Sequence, residues 1–149
     1  MLYTTLLLIH SWLRWVVLAA AVHALFRAIR GATSAATFEP SDRKAGLIFV
    51  ASLDSQVLLG LILYFVSPLT PGSGEAFKLS MKDPMLRFFA VEHLTAMILA
   101  LVAAHVGSVL ARKASEDVQK FKRSAISIVV SLLLIVGGLP WLMRPLFRF

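Results

Sequence analysis

Four runs of apolar residues divide the 149-residue chain: Leu2 to Ile29, Leu47 to Val66, Leu86 to Leu110 and Ala125 to Met143. Each reaches the roughly 20 residues that a helix needs to cross the hydrocarbon core of a bilayer. A soluble helical domain would instead show polar faces returning about every 3.6 residues, and these runs lack them. The pattern predicts one domain over residues 1–149 with helices at about 2–29, 45–66, 85–112 and 121–143. The fold class is all-α, an integral membrane up-down-up-down four-helix bundle.

The segments between the runs carry turn chemistry. "GATSAATFEPSDRKAG" holds Gly31, Pro40 and a candidate N-cap at Ser41, and "SPLTPGSGEAFKLSMKDP" reads as a loop that ends where Asp83-Pro84 opens a helix. "RKASEDVQKFKR" is short and charged, and "GGLPW", Gly137 to Trp141, marks a kink or end of the last helix. The first run is too long for a cleavable signal peptide, lacks a basic leading segment and contains Arg14, so it reads as a retained helix.

Composition sharpens the picture. Hydrophobic residues make up 58% of the chain, and cysteine is absent, which excludes disulfides, thiolate metal sites and covalent haem attachment. Any cofactor is therefore held by histidine, methionine, carboxylate or shape. The net charge of +7 could suggest nucleic acid, but basic residues in the short loops of a membrane protein report orientation first. Arg27, Arg30, Arg43, Lys44, Arg112, Lys113, Lys120, Lys122 and Arg123 gather on the side of the first and third loops, against Lys78, Lys82, Arg87, Arg144 and Arg148 on the other. The expected placement is the bacterial inner membrane, multi-pass, with both termini and the second loop on the outer, periplasmic side and with no nucleic-acid partner.

Against this background the polar residues inside the runs stand out. An ionisable group at membrane depth costs about 2.5–3.5 kcal/mol on insertion scales, so such groups turn inward and mark function or a structural pairing. They are His10, Arg14 and His23 in the first helix, Asp54 and Gln56 in the second, and Glu92, His93 and His105 in the third. In an up-down bundle the first and third helices run parallel, which places His10 level with His93 and His23 level with His105. Two histidines facing each other at one depth supply the axial ligands of a six-coordinate b-type haem.

Direction then separates the two pairs. From His10 to His23 the helix turns about 140° short of a full return, and from His93 to His105 about 120° past one, at 3.6 residues per turn. If His10 faces His93, His23 and His105 mostly face elsewhere, so one haem is expected rather than two. Arg14, one turn below His10, and Arg87, near the outer end of the third helix, are candidate partners for haem propionates. Simpler roles stand beside these. A membrane histidine can serve as an interhelical hydrogen-bond donor, and Arg14 can form a buried ion pair with Glu92 or Asp54. Trp12, Trp15, Trp141 and Tyr3 suit interface anchoring, and the methionines suit packing.

The segments "LLLIHSWLRWVVL", "RKAGLIFVASLDSQVLLGLILYF", "RFFAVEHLTAMILA" and "KFKRSAISIVVSLLLIVGGLPW" together resemble a family of small bacterial four-helix membrane proteins described as cytochrome b-like. The most specific pieces are His-x-x-Leu-Arg-Trp, here His10 to Trp15, the string from Arg87 to His93, and Pro140-Trp141. The resemblance implies a b-type haem or a related role in membrane electron transfer, with His10 and His93 as the matching histidines. It has one departure: members often carry a histidine on the second helix just before Gln-x-x-x-Gly, and here Asp54 holds that place ahead of Gln56 and Gly60.

The reading is a haem b protein that passes single electrons, a carrier or subunit rather than an enzyme. Its axial ligands are His10 and His93, with His23 and His105 as weaker candidates. Arg14, Arg87 and Glu92 act around the cofactor, with Asp54 and Gln56 secondary. Expected partners are the lipid bilayer, a quinone, and a larger respiratory or photosynthetic membrane complex or a second copy of the chain. Two alternatives remain open: a cofactor-free accessory subunit, and a transporter of protons or a soft metal ion.

Overall fold

The computed structural model describes residues 1–70 and 74–141. Among them the regular structure is entirely helical: α1 (Leu2–Thr33), α2 (Pro40–Val66), α3 (Gly74–Ser80), α4 (Pro84–Arg112) and α5 (Asp117–Gly137). This is five helices rather than the four expected. The extra one, α3, lies in the connection read as a loop. There Glu75 and Lys78 form an ion pair at 2.7 Å across one helical turn, and Ser80 is buried.

The helix ends also differ from expectation. α1 continues to Thr33, and α2 begins at Pro40 because Glu39 and Asp42 form a reciprocal capping box; the N-cap is Glu39, not Ser41. Asp83 caps α4 by accepting from the backbone N–H groups of Met85 and Leu86, both at 2.9 Å. Within α4 the turn Phe88–Glu92 is a π-helix, an interruption that periodicity does not reveal. α5 ends at Gly137, followed by Gly138-Leu139-Pro140, whereas the apolar run extends to Met143; that residue, with Arg144 and Arg148, lies outside the described residues.

α1, α2 and α4 are each long and apolar enough to span a membrane. α5 differs because Asp117, Lys120, Lys122 and Arg123 fill its first two turns, leaving Ser124 to Gly137 as its apolar part. These three helices turn apolar side chains outward: Phe26 of α1, Leu58 of α2 and Leu99 of α4 are 63%, 62% and 50% exposed. Water would penalise such a surface, whereas lipid solvates it.

The four long helices close a ring in the order α1, α2, α4, α5, with α1 and α4 on one diagonal. The buried faces are rich in small residues, Ala21, Ala24 and Ala28 on α1 and Ala100, Ala104 and Gly107 on α4. A Cβ added at Gly107 would overlap Ser127 of α5, so this close approach requires glycine. Phe49, Leu53 and Val57 of α2 fill the axis against Val17, Met97, Ile128 and Ile135. Ser131 of α5 donates to the Ala100 carbonyl of α4 at 3.0 Å.

The connections gather at two ends. At one, Asp117 accepts from the Phe38 backbone N–H at 3.1 Å and Asp42 pairs with Arg27 at 2.6 Å, tying the first loop to α1 and α5. At the other, the start of α4 meets the end of α5 around His93, and the candidate site lies there.

Candidate functional site

The site draws on all four long helices. His10 comes from α1, Gln56 and Gly60 from α2, His93 from α4 just past the π turn, and Gly138 from the cap of α5. Although α1 and α4 are diagonal partners, the His10 and His93 rings meet across the bundle with centroids 6.4 Å apart and planes inclined at 75°.

Each imidazole has one nitrogen held by the fold. His93 Nδ1 lies 2.6 Å from the Gly138 carbonyl oxygen, which can only accept, so Nδ1 carries the hydrogen and Nε2 is left with a lone pair. At His10 the Gln56 side-chain amide donates to the His10 carbonyl at 3.0 Å and lies 3.3 Å from Nε2. His10 Nδ1 is buried with no hydrogen-bond partner. Gln56 is 6% exposed, and its own side-chain oxygen is also without a partner. Such buried, unsatisfied atoms cost about 1–3 kcal/mol each, which is unusual outside sites that serve a ligand.

The surroundings are tailored to the rings. Phe88 and Phe89 sit 5.9 and 6.1 Å from the His93 ring, placed there by the π turn. Gly60 faces His10; a Cβ at that position would stand 3.2 Å from His10 Cε1. Two cavities flank the pair, of about 100 and 70 Å³. The larger reaches Gly60, Tyr64 and Thr70, and the smaller reaches Ser11, Arg14 and Pro140. Leu7, His10, Gln56, Phe89, His93 and Met97 line both.

The other candidates are placed differently. Arg14 borders the smaller cavity, its guanidinium carbon 5.4 Å from the centre of the Trp15 ring. Arg87 and Glu92 bond each other at 2.9 Å, both about half exposed. Asp54 bonds His105 Nε2 at 2.7 Å, joining α2 to α4 on the outside of the bundle. The carboxylates considered as partners for Arg14 are thus engaged elsewhere. His23 on α1 and His105 on α4 both lie exposed at the surface, and His105 is bonded to Asp54.

Sequence reasoning missed the roles of Gly138 and Phe89. "GGLPW" was read as a helix end, and nothing in it announces a carbonyl aimed at a histidine. Phe88-Phe89 is separated by two residues from the Glu92-His93 pair, and this aromatic doublet is the available signal.

The fold and site define an all-helical bundle of membrane character with an anchored histidine pair across its centre. Comparison of the chain with family models, curated proteins and solved structures returns no match. Among the described residues no three histidine, aspartate or glutamate side chains converge as a metal cage. A ligand bound here would therefore be held by two imidazoles and shape.

Whether a haem fits can be judged from the ligating atoms and from the space. Metal–imidazole bonds of about 2 Å on each side, plus the ring radii, put the centroids of two axial histidines roughly 6 Å apart. The observed 6.4 Å agrees with this. At His93 the bonded Nδ1–H and the open Nε2 follow the pattern of a metal-ligating histidine; at His10 the Gln56 amide can only donate, so Nε2 accepts, Nδ1 carries the hydrogen, and ligation requires Gln56 to release the ring. The cavities are smaller than the roughly 300–1,000 Å³ of cofactor pockets. Binding thus requires the side chains shared by the two cavities to move apart, and among them Met97 is the most flexible.

Proposed function

We propose that the chain is a four-span membrane protein that binds one haem b between His10 and His93 and passes single electrons. In this reading α5 is the fourth span, and the helices run up-down-up-down in a bacterial inner membrane. The basic first and third loops lie in the cytoplasm, with the termini outside. The observation that carries the reading is the 6.4 Å approach of two histidines on diagonal helices, with His93 Nδ1 bonded to the Gly138 carbonyl and its Nε2 left open.

Haem supplies a one-electron couple that no side chain here provides. The chain's own residues do the rest. Gly138 fixes the His93 tautomer, Gln56 fixes the position of His10, and Gly60 lets α2 approach the ring. Arg14, beside the smaller cavity, is placed to answer a propionate, whereas Arg87 and Glu92 neutralise each other at the outer edge. Leu7, Phe89 and Met97 exclude water. Quinone or a larger respiratory or photosynthetic complex is the proposed electron partner. Docking on such a complex, or on a second copy, would use the outward apolar faces.

The decisive experiment is a dithionite-reduced minus oxidised spectrum of protein purified from haem-replete cells, with haem counted per chain. The expected result is a b-type α band at one haem per chain, lost in both His10→Ala and His93→Ala. A folded wild-type protein with no band would refute the proposal. A second reading, a cofactor-free accessory subunit, is favoured by the small volume of the two cavities. It is the reading left standing by that negative result.

A further inference from the structure

A cavity larger than either one at the histidine pair lies away from it. It lies at the opposite end of the bundle, between α2, α4 and α5, with a volume of about 280 Å³. Its mouth is cationic, bordered by Arg43, Arg112 and Lys120, and its inner wall is apolar, made by Phe49, Ala104 and Ile128. Ser108, Ser124 and Ser127 form a band of hydroxyls between the two zones.

The charges at the mouth are not balanced. Asp42, the acid on the wall, is held by Arg27 at 2.6 Å, and Lys120 is held by Asp117 at 2.7 Å. Arg123, one turn further along α5, donates to the Leu110 carbonyl at 2.8 Å. Arg43 and Arg112 are exposed and have no ion-pair or hydrogen-bond partner among the described residues. Two uncompensated guanidinium groups therefore stand over a pocket that is polar at the rim and apolar within. This is the profile of an amphiphile with an anionic head.

Gly46 completes the argument. It lines the cavity in the middle of the first turns of α2, where glycine weakens a helix by about 1 kcal/mol relative to alanine. At Gly31, Gly60, Gly107 and Gly138 a neighbouring atom stands close to where a Cβ would lie, whereas a Cβ added at Gly46, as at Gly137, meets nothing within 4 Å. At Gly46 that open space adjoins the cavity and leaves room for a ligand.

We infer that this cavity binds an anionic phospholipid, its phosphate between Arg43 and Arg112 and its acyl chain over Leu47 and Val50 toward the bilayer. The inference rests on the chain lying in a membrane and is independent of the histidine pair and of haem. The site is at the end that carries the basic loops, where the positive-inside pattern and an anionic leaflet coincide.

The test follows the thermal unfolding of delipidated protein in neutral detergent while phosphatidylglycerol, phosphatidylcholine or inorganic phosphate is added. A ligand that binds only the folded state raises the midpoint in proportion to the logarithm of its concentration. Phosphatidylglycerol is expected to stabilise the wild type, with phosphatidylcholine and inorganic phosphate inactive at equal concentration. Arg43→Gln with Arg112→Gln lowers the apparent affinity about thirtyfold, taking about one kcal/mol per basic residue. Gly46→Leu folds, because its side chain enters open space, and removes the response by filling the cavity. Equal stabilisation of wild type and both variants, or no response in the wild type, would overturn the proposal. So would a response to inorganic phosphate matching that to lipid, which would mark a soluble-anion site.

Discussion

Gly137 and Gly138 are neighbours at the end of α5, and replacing each by alanine tests the anchoring of His93 with an internal control. At Gly138 a Cβ would stand 2.7 Å from Met97 Cε, 2.8 Å from Ala96 Cβ and 3.2 Å from the Leu134 carbonyl oxygen. The Met97 terminus can rotate away, but Ala96 Cβ and the Leu134 carbonyl move only with their helices. Forcing a methyl group into such a site costs about 1–3 kcal/mol. Separation of α4 from α5 also lengthens the 2.6 Å bond between His93 Nδ1 and Gly138, itself worth about 1 kcal/mol. Gly138→Ala is therefore expected to destabilise by about 2 kcal/mol, a fall of about 4–8 °C in the unfolding midpoint for a chain of this size. At Gly137 a Cβ meets nothing within 4 Å, so alanine there is neutral or stabilises by up to about 1 kcal/mol. Circular dichroism melts in detergent measure both. Nitrogen-15 NMR of labelled histidine adds a specific readout, because the short Nδ1–H bond gives a strongly downfield proton that Gly138→Ala should shift and Gly137→Ala should leave. If the two variants melt alike and the proton does not move, the anchoring argument is wrong.

Gly60→Leu drives a side chain toward His10 Cε1, which already lies 3.2 Å from the position of a Cβ. It should keep the helical content and lose bound haem, whereas Gly60→Ala asks the ring to yield only a few tenths of an ångström and should retain haem; haem per chain checks both. The second prediction concerns acid. Lys120 and the Phe38 N–H both donate to Asp117, outside the apolar part of α5, and hold its carboxyl below the ordinary value of 3.8. A depressed value stabilises fully above the unfolded one and is lost as pH falls through the folded one, so the clamp between the first loop and α5 should open only below about pH 4. Hydrogen exchange at the Phe38 amide, scaled for intrinsic rate, should rise there in the wild type, and Asp117→Asn should flatten the pH dependence.

The apolar runs were legible because burial in lipid imposes a length and a composition, and α1, α2 and α4 meet both. The start of α5 was not, since Asp117 to Arg123 favour water while continuing the same helix, and hydropathy alone places its boundary at the first apolar residue. α3 was hidden for a related reason: a seven-residue amphipathic turn sits among prolines and glycines that signal a loop. At the site, equal depth and the helical angle single out His10 and His93 without coordinates. The partners of the other polar residues depend on which helices touch. Asp54 meets His105 because α2 and α4 are adjacent in the ring, and no spacing within either helix contains that information.

The ring order also explains why the two histidine levels differ. Residues on diagonal helices meet only where the intervening helices leave the axis open. At the level of His10 and His93 they do so, since Gly60 of α2 and Gly138 of α5 carry no side chains and the rings themselves occupy the centre. Nearer the other end Phe49, 1% exposed, belongs to the same buried core as Ala21, Ala24 and Ala104. A flat cofactor between His23 and His105 would have to displace that ring, and both histidines already stand exposed at the surface. The packing therefore supplies a steric reason for a single central site that adds to the angular one. In Phe49→Ala the space opens, but neither histidine turns inward unless the Asp54 to His105 bond is also broken, so haem per chain should remain at the wild-type count.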